Sequence, residues 1–417
     1  MVQLSSDAFA FGGELMPVED ALALVAARIP PLSETEKVSL IDADGRFLAS
    51  DVIAPIDLPV FDNSAVDGYA VAHADLAASG PTVLPVGARI AAGQAASTPI
   101  AGRTAARIFT GAPMPPGTDT VFMQEDVTVR EDGGVELPPG LGKGANCRPK
   151  GEDIARGSVA APAGRRLEPR DIALLAALGI TAVEVRRRPR VAVFSTGNEL
   201  RDPGQTLGAA AIYDSNRFSL QVMLKRAGCE VSDLGILPDD RNTTAARLGE
   251  AAHAHDLIVT SGGVSTGEED HVRAAITASG SMVFWRLAIK PGRPLAMGII
   301  NGVPLVGLPG NPVAVFVTFA HVLRPLVIAL SGGTPAPIAA MTVISGFDYR
   351  KKAGRREYVR VSLESSEGPA IAKKYPVDGA GVLTSLTRTD GMVELPEACT
   401  NVRVGDPISF FAYSQLT

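Results

Sequence analysis

The feature that most restricts the fold is an alternation of apolar strand-like and helical segments between Pro189 and about Leu330. Such a βαβ series predicts a parallel sheet covered by helices, with functional loops beyond the C-terminal strand ends. The pattern predicts strands over residues 190–195, 231–237, 256–261 and 304–308, and helices over 216–227, 243–253 and from 312.

The segments on either side of this series differ from it in their pattern of apolar residues, Gly and Pro. A chain of 417 residues exceeds one hydrophobic core, so about two to four domains are expected. Residues 17–28 and 168–178 have helical spacing, whereas 54–147 and the last portion contain short strands broken by Gly and Pro. The β-rich stretch therefore reads as an insertion between helical segments, and the C-terminal portion as a small barrel or sandwich. The predicted domains are connecting segments 1–53 and 152–180, with part of the N-terminus packing on the α/β domain, an inserted β-rich domain 54–151, an α/β domain 181–333 and a C-terminal β domain 334–417.

Charge and cysteine usage exclude several classes of function. A net charge of -6 provides no broad cationic surface for nucleic acid or anionic lipid. The three cysteines are far apart without a CxxC pair, which favours free thiols in a reducing compartment. The N-terminus has no secretory signal, and the apolar stretch 312–330 contains His321 and Arg324, which favours a buried helix over a membrane span. The sequence predicts a cytoplasmic protein with neither nucleic-acid nor membrane partners.

Three predicted strand ends in the α/β segment run into glycine-rich polar loops. They are STGNE at 195–199, TSGGVSTG at 260–267 and GLPGNP at 307–312. Glycine lets backbone N–H groups approach phosphate oxygens, and a helix N-terminus suits an anion. Any one loop could be an ordinary turn, but three in one sheet favour an anion site that includes Gly262, Gly263, Gly310 and Asn311. No GxGxxG follows the first strand, which argues against a nicotinamide dehydrogenase.

Carboxylates accompany these loops. A phosphate site accommodates acids where a metal or a reaction needs them, and hard oxygen ligands suit Mg²⁺. Asp240 precedes Thr243 as a helix cap would, so function is assigned to Asp239 instead. Of the acids at 268–270, at least one of the two glutamates is a solvated helix start, and Asp270 is the favoured functional group.

Cations and further polar motifs complete the set of candidates. If residues 286–290 are extended, alternation places Arg286 and Lys290 on one face, where they could hold an oxyanion; the alternative is a solvated strand edge. In the inserted domain, polar glycine-containing segments occur at 61–70, 109–113 and 148–153. His253 and His271 lack metal-ligand spacing and are interpreted as surface or packing residues.

With these motifs the chain resembles the molybdopterin molybdenumtransferases, the family of bacterial MoeA and of the E domains of gephyrin and its plant counterpart. The matching segments are SAVDGYA at Ser64, IFTGAPMP at Ile108, RPKGEDI at Arg148, STGNEL at Ser195, TSGGVSTGEED at Thr260, LAIKPGRP at Leu287 and LPGNP at Leu308. They are ordered along nearly the whole chain, so coincidence is implausible.

The resemblance implies an elongated homodimer. It would contain an α/β molybdopterin-binding domain, an inserted lid domain, a connecting domain and a C-terminal β barrel, with a cleft between the α/β domain of one subunit and the lid of the other. The residues it assigns to the α/β side are Glu199, Asp239, Ser265, Asp270 and Lys290, and those on the lid are Asp62, Thr110, Arg148 and Asp153. Arg286 stands where the family often has Lys, which keeps the charge but replaces a point charge by a planar fork.

The activity implied is insertion of molybdenum from molybdate into adenylylated molybdopterin with release of AMP. Lys290, Arg286 and Ser265 would hold molybdate, and Mg²⁺ on Asp239, Asp270 and Glu199 would polarise the pyrophosphate. Expected partners are the molybdopterin adenylyltransferase and recipient apoenzymes. The alternatives are adenylylation of molybdopterin itself, and a gephyrin-like scaffold that binds other proteins.

Overall fold

The architecture consists of three six-stranded sheets joined by a small connecting unit. The computed structural model describes residues 15–94, 99–237, 240–262, 280–365 and 367–417. The chain opens with helix α1, whose buried Val18, Ala21 and Val25 lie on one face and pack into the core of the α/β domain. The first elements are α1 (Val18–Arg28), β1 (Thr35–Ser39) and β2 (Val52–Ile53).

The inserted β domain forms a mixed sheet and a separate two-stranded ribbon. Successive residues of its strands face opposite sides, so Tyr69 and Val71 enter one core cluster while Ala70 enters another. The sheet order is β7-β4-β6-β5-β9-β8, and β3 pairs with β10 and forms an isolated bridge from Asn63 to Pro113. These strands are β3 (Asn63–Ser64), β4 (Gly68–Val71), β5 (Thr82–Ile90), β6 (Ala105–Ile108), β7 (Thr120–Met123), β8 (Thr128–Val129), β9 (Gly134–Leu137) and β10 (Cys147–Arg148).

The connecting unit is assembled from segments on both sides of this insertion. β11 (Val159–Ala161) pairs with β2, α2 (Pro169–Ala177) follows, and β12 (Ala182–Arg186) pairs with β1. These pairings confirm that the β domain interrupts the connecting unit. By this pairing β12 belongs to the connecting unit, and the first strand of the α/β sheet in chain order is β13 (Arg190–Thr196).

The α/β sheet has the order β16-β13-β17-β21-β20-β18. Its first four strands are parallel to one another, as predicted. β20 pairs antiparallel with β21 on one side and with β18 on the other, and β20 and β18 form an edge that the sequence did not indicate. The elements are β13 (Arg190–Thr196), β14 (Leu200–Arg201), β15 (Ile212–Tyr213), α3 (Asn216–Arg226), β16 (Glu230–Leu237), α4 (Arg241–Ala254), β17 (Leu257–Ser261), β18 (Gly280–Arg286), β19 (Ile289–Lys290), β20 (Pro294–Ile300) and β21 (Val303–Leu308).

A long apolar helix after β21 forms the centre of the core. It consists of α5 (Pro312–Thr318), a π-helical turn (Phe319–Leu323) and α6 (Arg324–Leu330). Among the described residues this stretch alone is long and apolar enough to cross a bilayer, but 83% of its most apolar window is buried in the fold, which identifies a core helix. His321 stacks on Tyr358 at 4.5 Å between ring centroids, and burial lowers the pKa of His321 to about 3.

The C-terminal strands close into a barrel, because β24 pairs with both β25 and β26. β19, which comes from the α/β segment, adds to this sheet beside β24. The elements are β22 (Met341–Ser345), β23 (Tyr349–Arg350), β24 (Arg356–Glu364), β25 (Ile371–Lys374), α7 (Thr384–Thr387), β26 (Gly391–Leu395), β27 (Asn401–Val402), β28 (Pro407–Ala412) and α8 (Tyr413–Leu416). The barrel confirms one of the two architectures expected for this segment.

Candidate active site

The three glycine-rich loops meet at the carboxyl edge of the α/β sheet. The Gly262 N–H donates to the Leu308 carbonyl at 3.2 Å, which joins the second loop to the third. Gly262 has a φ of +83°, and a Cβ at this position would lie 2.8 Å from the Thr196 carbonyl oxygen of the first loop. The close approach therefore requires glycine, as expected where backbone rather than side chains lines a site.

Asn216 locks two of these loops together, and sequence reasoning missed it. Its amide nitrogen donates to Ser261 Oγ at 2.9 Å and to the Gly310 carbonyl at 2.7 Å. The residue is 9% exposed at the start of α3. The sequence feature that could have indicated it is the polar run 214–217 at the start of a helix on this edge of the sheet. Helical periodicity alone identifies this run only as a helix end.

Three buried polar atoms at this edge have no hydrogen-bond partner among the residues that the structure describes. They are Ser195 Oγ, Thr196 Oγ1 and Asn216 Oδ1. Buried polar atoms are normally paired, since leaving one unpaired costs about 1–3 kcal/mol. The edge is therefore suited to receive polar groups of a ligand or ordered water.

Glu199 is the predicted metal ligand that the structure describes. It is exposed, and its carboxylate folds over Gly197, where an added Cβ would lie 2.5 Å from Glu199 Oε2. Asp239 and Asp270, the other predicted ligands, lie outside the described residues, as do Gly263 and Ser265. Within the described ranges no group of three metal-binding side chains occurs. One accessible carboxylate nevertheless fits Mg²⁺, which is usually held by one or two carboxylates together with substrate phosphates.

Residues 286–290 do not form a single strand, so the condition under which alternation would place Arg286 and Lys290 on one face is not met. β18 ends at Arg286 in the α/β sheet, whereas Lys290 belongs to β19 in the barrel sheet. Ala288, between them, is 4% exposed, while Arg286 and Lys290 are exposed. The two cations are accessible but are positioned by different sheets.

The barrel supplies a wall beside the third loop, which the sequence did not predict. Asn311 is the N-cap residue of α5, and the Val313 N–H donates to the Ala380 carbonyl of a barrel loop at 3.0 Å. The buried Arg360 guanidinium organises this loop by donating to the Gly379 carbonyl at 3.0 Å and to Ser385 Oγ at 3.1 Å. Burial lowers the pKa of Arg360, so a cation is held close to the glycine-rich edge at an energetic cost.

The three polar segments of the inserted domain also converge. The β3–β10 ribbon places Asn63 opposite Arg148, and Asp62 Oδ1 accepts the Lys150 N–H at 2.7 Å. The Gly111 N–H donates to the Ser64 carbonyl at 2.8 Å, which attaches the segment that contains the predicted Thr110. The predicted residues Asp62, Thr110 and Arg148 are thus on segments tied to one ribbon. The Asp153 N–H donates to the Leu58 carbonyl at 3.0 Å, just before that ribbon.

Thr110 is held by Asp67, an aspartate of the polar segment 61–70 that was not among the predicted site residues. Asp67 Oδ1 accepts from both the backbone N–H and the hydroxyl of Thr110, each at 2.8 Å. These two bonds lower the pKa of Asp67. Arg148 is likewise oriented, because its Nε donates to Glu152 Oε1 at 2.5 Å.

A separate cavity of about 260 Å³ lies between α1, the π-helical turn and the barrel. Its lining includes His321, Arg356 and Glu394 but none of the predicted site residues. This cavity and the glycine-rich edge are therefore different places in the molecule.

Comparison with known proteins matches three successive regions of the chain. Family models described as MoeA N-terminal region (domain I and II), probable molybdopterin binding domain and MoeA C-terminal region (domain IV) match residues 16–179, 192–329 and 342–412. A molybdopterin molybdenumtransferase of Haemophilus influenzae is 36% identical over 96% of this chain and 100% of its own length. The chain belongs to the MoeA family of molybdopterin molybdenumtransferases. A second relative, molybdopterin molybdenumtransferase 2 of Mycobacterium tuberculosis, is 35% identical over 88% of this chain and 92% of its own.

Solved structures of MoeA proteins have the same fold. A molybdopterin biosynthesis MoeA protein from Pyrococcus horikoshii superposes with a TM-score of 0.80 at 30% identity, over 95% of this chain and all of that one. The family therefore accounts for the inserted domain and the barrel as well as for the α/β sheet.

Proposed function

We propose that this MoeA-family chain is a molybdenum insertase, which transfers molybdenum from molybdate to adenylylated molybdopterin and releases AMP. The observation that carries the proposal is the meeting of three glycine-rich loops through Gly262 and Asn216, beside buried polar atoms that have no partner among the described residues. Such an edge suits the phosphates and polar ring atoms of a pterin nucleotide.

The cations of the LAIKPGRP segment are assigned to molybdate. Lys290 and Arg286 are exposed at the junction of the α/β sheet and the barrel, and each offers several N–H donors to a tetrahedral dianion. Ser265 is assigned the same ligand through its hydroxyl group. Gly262, Gly263, Gly310 and Asn311 are assigned to the pterin phosphates.

Mg²⁺ is proposed as the metal, held by Glu199, Asp239 and Asp270, and when bound it would polarise the pyrophosphate linkage. Asp270 is assigned the essential carboxylate. An Asp270→Asn variant is expected to lose AMP release and molybdenum insertion together, and full retention of both would remove this role.

The residues of the inserted domain are assigned to closure of the cleft from a second copy of the chain. Asp62, Thr110, Arg148 and Asp153 carry both signs of charge on connected segments, which suits contact with a substrate already bound on the α/β edge. We further propose a homodimer in the cytoplasm, where the free Cys147, Cys229 and Cys399 remain reduced. The molybdopterin adenylyltransferase would deliver the substrate and apoenzymes would take the product.

Purified protein incubated with adenylylated molybdopterin, Mg²⁺ and molybdate tests the proposal. We expect AMP release that depends on molybdate, and a product that activates a molybdenum-dependent apoenzyme. Consumption of ATP with free molybdopterin would favour the adenylyltransferase alternative. Protein binding without turnover of either substrate would favour the scaffold.

A further inference from the structure

The lysine assigned to molybdate is anchored to the C-terminal barrel. β19 runs parallel to β24 in a register that places Lys290 opposite Glu357. Lys290 Nζ lies 3.1 Å from Glu357 Oε2, within hydrogen-bond distance. The segment 286–290 therefore begins in a strand of the α/β sheet and ends in a strand that pairs with the barrel.

Glu357 is a buried carboxylate at the end of the barrel core. Its side chain is 5% exposed, and Val359 and Val361, on the same face of β24, belong to the hydrophobic cluster inside the barrel. A buried carboxylate is stable only when it is paired and hydrogen-bonded. Tyr349 provides the second contact, because its hydroxyl donates to the same Glu357 oxygen at 2.8 Å.

The tyrosine is constrained to act as a donor. Burial, followed by the bond to Glu357, raises the pKa of Tyr349 well above its usual range. The phenol of Tyr349 therefore keeps its proton and donates to Glu357 Oε2, the same oxygen that the Lys290 ammonium contacts. Both contacts fix the Glu357 oxygen relative to β19.

Lys290 remains available to a ligand in this arrangement. An ammonium has three N–H donors, and the Lys290 side chain is 52% exposed although one contact goes to Glu357. A long flexible side chain that is already fixed loses less conformational entropy when it binds an anion.

We propose that Glu357, supported by Tyr349, is a positioning residue that fixes the Lys290 ammonium for molybdate, so that this barrel carboxylate contributes to oxyanion affinity without touching the anion. This inference rests on the proposed function. It predicts a defect in molybdate affinity rather than in the rate at saturation.

The test is the molybdate dependence of AMP release by Glu357→Gln, which keeps the size of the side chain and removes its charge. We expect the half-saturating molybdate concentration to rise about tenfold, as for loss of a charge-assisted hydrogen bond, with little change in the maximal rate. Glu357→Asp should recover part of the loss, and Tyr349→Phe should show a rise of about threefold, as for a neutral hydrogen bond.

Glu364→Gln is the matched control, because Glu364 lies on the same strand and pairs with Lys373 at 3.4 Å on an exposed surface. It should leave the molybdate requirement unchanged. An unchanged requirement in Glu357→Gln or, where that variant unfolds, in the milder Tyr349→Phe overturns the inference and leaves only an interdomain contact. A wild-type protein that releases no AMP with molybdate would instead refute the proposed function on which the inference depends.

Discussion

At the level of single residues, Gly262 is a position in the glycine-rich edge where the backbone does not tolerate a side chain. Its φ of +83° and the 2.8 Å distance from an added Cβ to the Thr196 carbonyl oxygen leave no room for a side chain. We expect Gly262→Ala to destabilise the protein by about 1–3 kcal/mol, from backbone strain, and to abolish AMP release. Urea unfolding and the AMP assay measure the two effects. Gly208→Ala, where no heavy atom lies within 4 Å of the added Cβ, should change neither.

Asn216 provides a second prediction at this scale. Asn216→Ala removes donors to Ser261 Oγ and the Gly310 carbonyl and should cost about 1–3 kcal/mol of unfolding free energy. Asn216→Asp should be worse, because a carboxylate oxygen would then face the Gly310 carbonyl oxygen. Denaturant titrations of both variants check the order, with the exposed Asn198→Asp as the charge-matched control. An Asp variant as stable as the wild type would show that the amide does not hold the loops.

These two residues also show what the sequence could reveal about the site. The glycine of the second loop was identifiable, because a polar glycine-rich run directly after an apolar strand is typical of a loop at a strand end. Asn216 was not, because its role depends on Ser261 and Gly310, which are distant in sequence and meet only through the strand order. The roles assigned to Glu199, Arg286 and the residues of the lid remain predictions.

At the level of elements, Asp256 joins the connecting unit to the start of the α/β sheet. Its buried carboxylate accepts from both Arg187 terminal nitrogens, at 2.9 and 3.0 Å, and from the Arg190 N–H at 2.8 Å. Arg187 also pairs with Glu34. Because Arg187 and Arg190 lie in the linker between β12 and β13 and at the start of β13, their bonds to Asp256 fix this linker. Burial alone would raise the pKa of Asp256, but the bonds to Arg187 and Arg190 outweigh it and lower the pKa below 3.8.

Asp256→Asn should therefore cost about 3 kcal/mol at neutral pH, because it leaves Arg187 partly unpaired. A carboxylate with a lowered folded pKa stabilises the protein above its unfolded pKa, and this stability is lost as pH falls through the folded value. The difference between wild type and variant should thus be complete above about pH 5 and shrink as the pH falls below 3.8. Urea unfolding from pH 7 to pH 3 measures it, and Asp126→Asn on an exposed turn should show no such trend. A difference independent of pH would mean that packing, not charge, is responsible.

Secondary-structure elements were predicted well where the apolar pattern is long, and poorly where it is short. The strands and helices of the βαβ series were foreseen to within a few residues, because their apolar periodicity is sustained and Gly or Pro marks their ends. For residues 286–290 only a conditional prediction was possible, since five residues do not contain the information that β18 and β19 join different sheets. Long-range pairing decides such segments, and local alternation does not.

At the level of the whole molecule, the division into parts was predictable and the way the parts share one site was not. The change from helical to β-rich texture indicated the insertion, which the pairing of β2 with β11 confirms. No sequence pattern indicated that β19 would extend the barrel sheet or that a barrel loop would contact α5. These contacts combine two domains into one edge of the site within a single chain.

The proposal that the inserted domain of a second subunit completes the site leads to a prediction for mixed dimers. Arg148→Ala lies on the β10 ribbon and Lys290→Ala on β19, so each single variant should be inactive for a different reason. If each cleft combines the inserted domain of one subunit with the α/β domain of the other, a mixed dimer has one cleft with both defects and one with neither. Random reassortment of equal amounts should then restore about a quarter of wild-type AMP release, by the symmetry of a two-fold dimer. Wild type mixed with Lys290→Ala should give about half of wild-type AMP release whether or not subunits exchange, so it controls for loss of activity during mixing. No recovery in a verified mixed dimer would place both groups of residues in one subunit's own cleft.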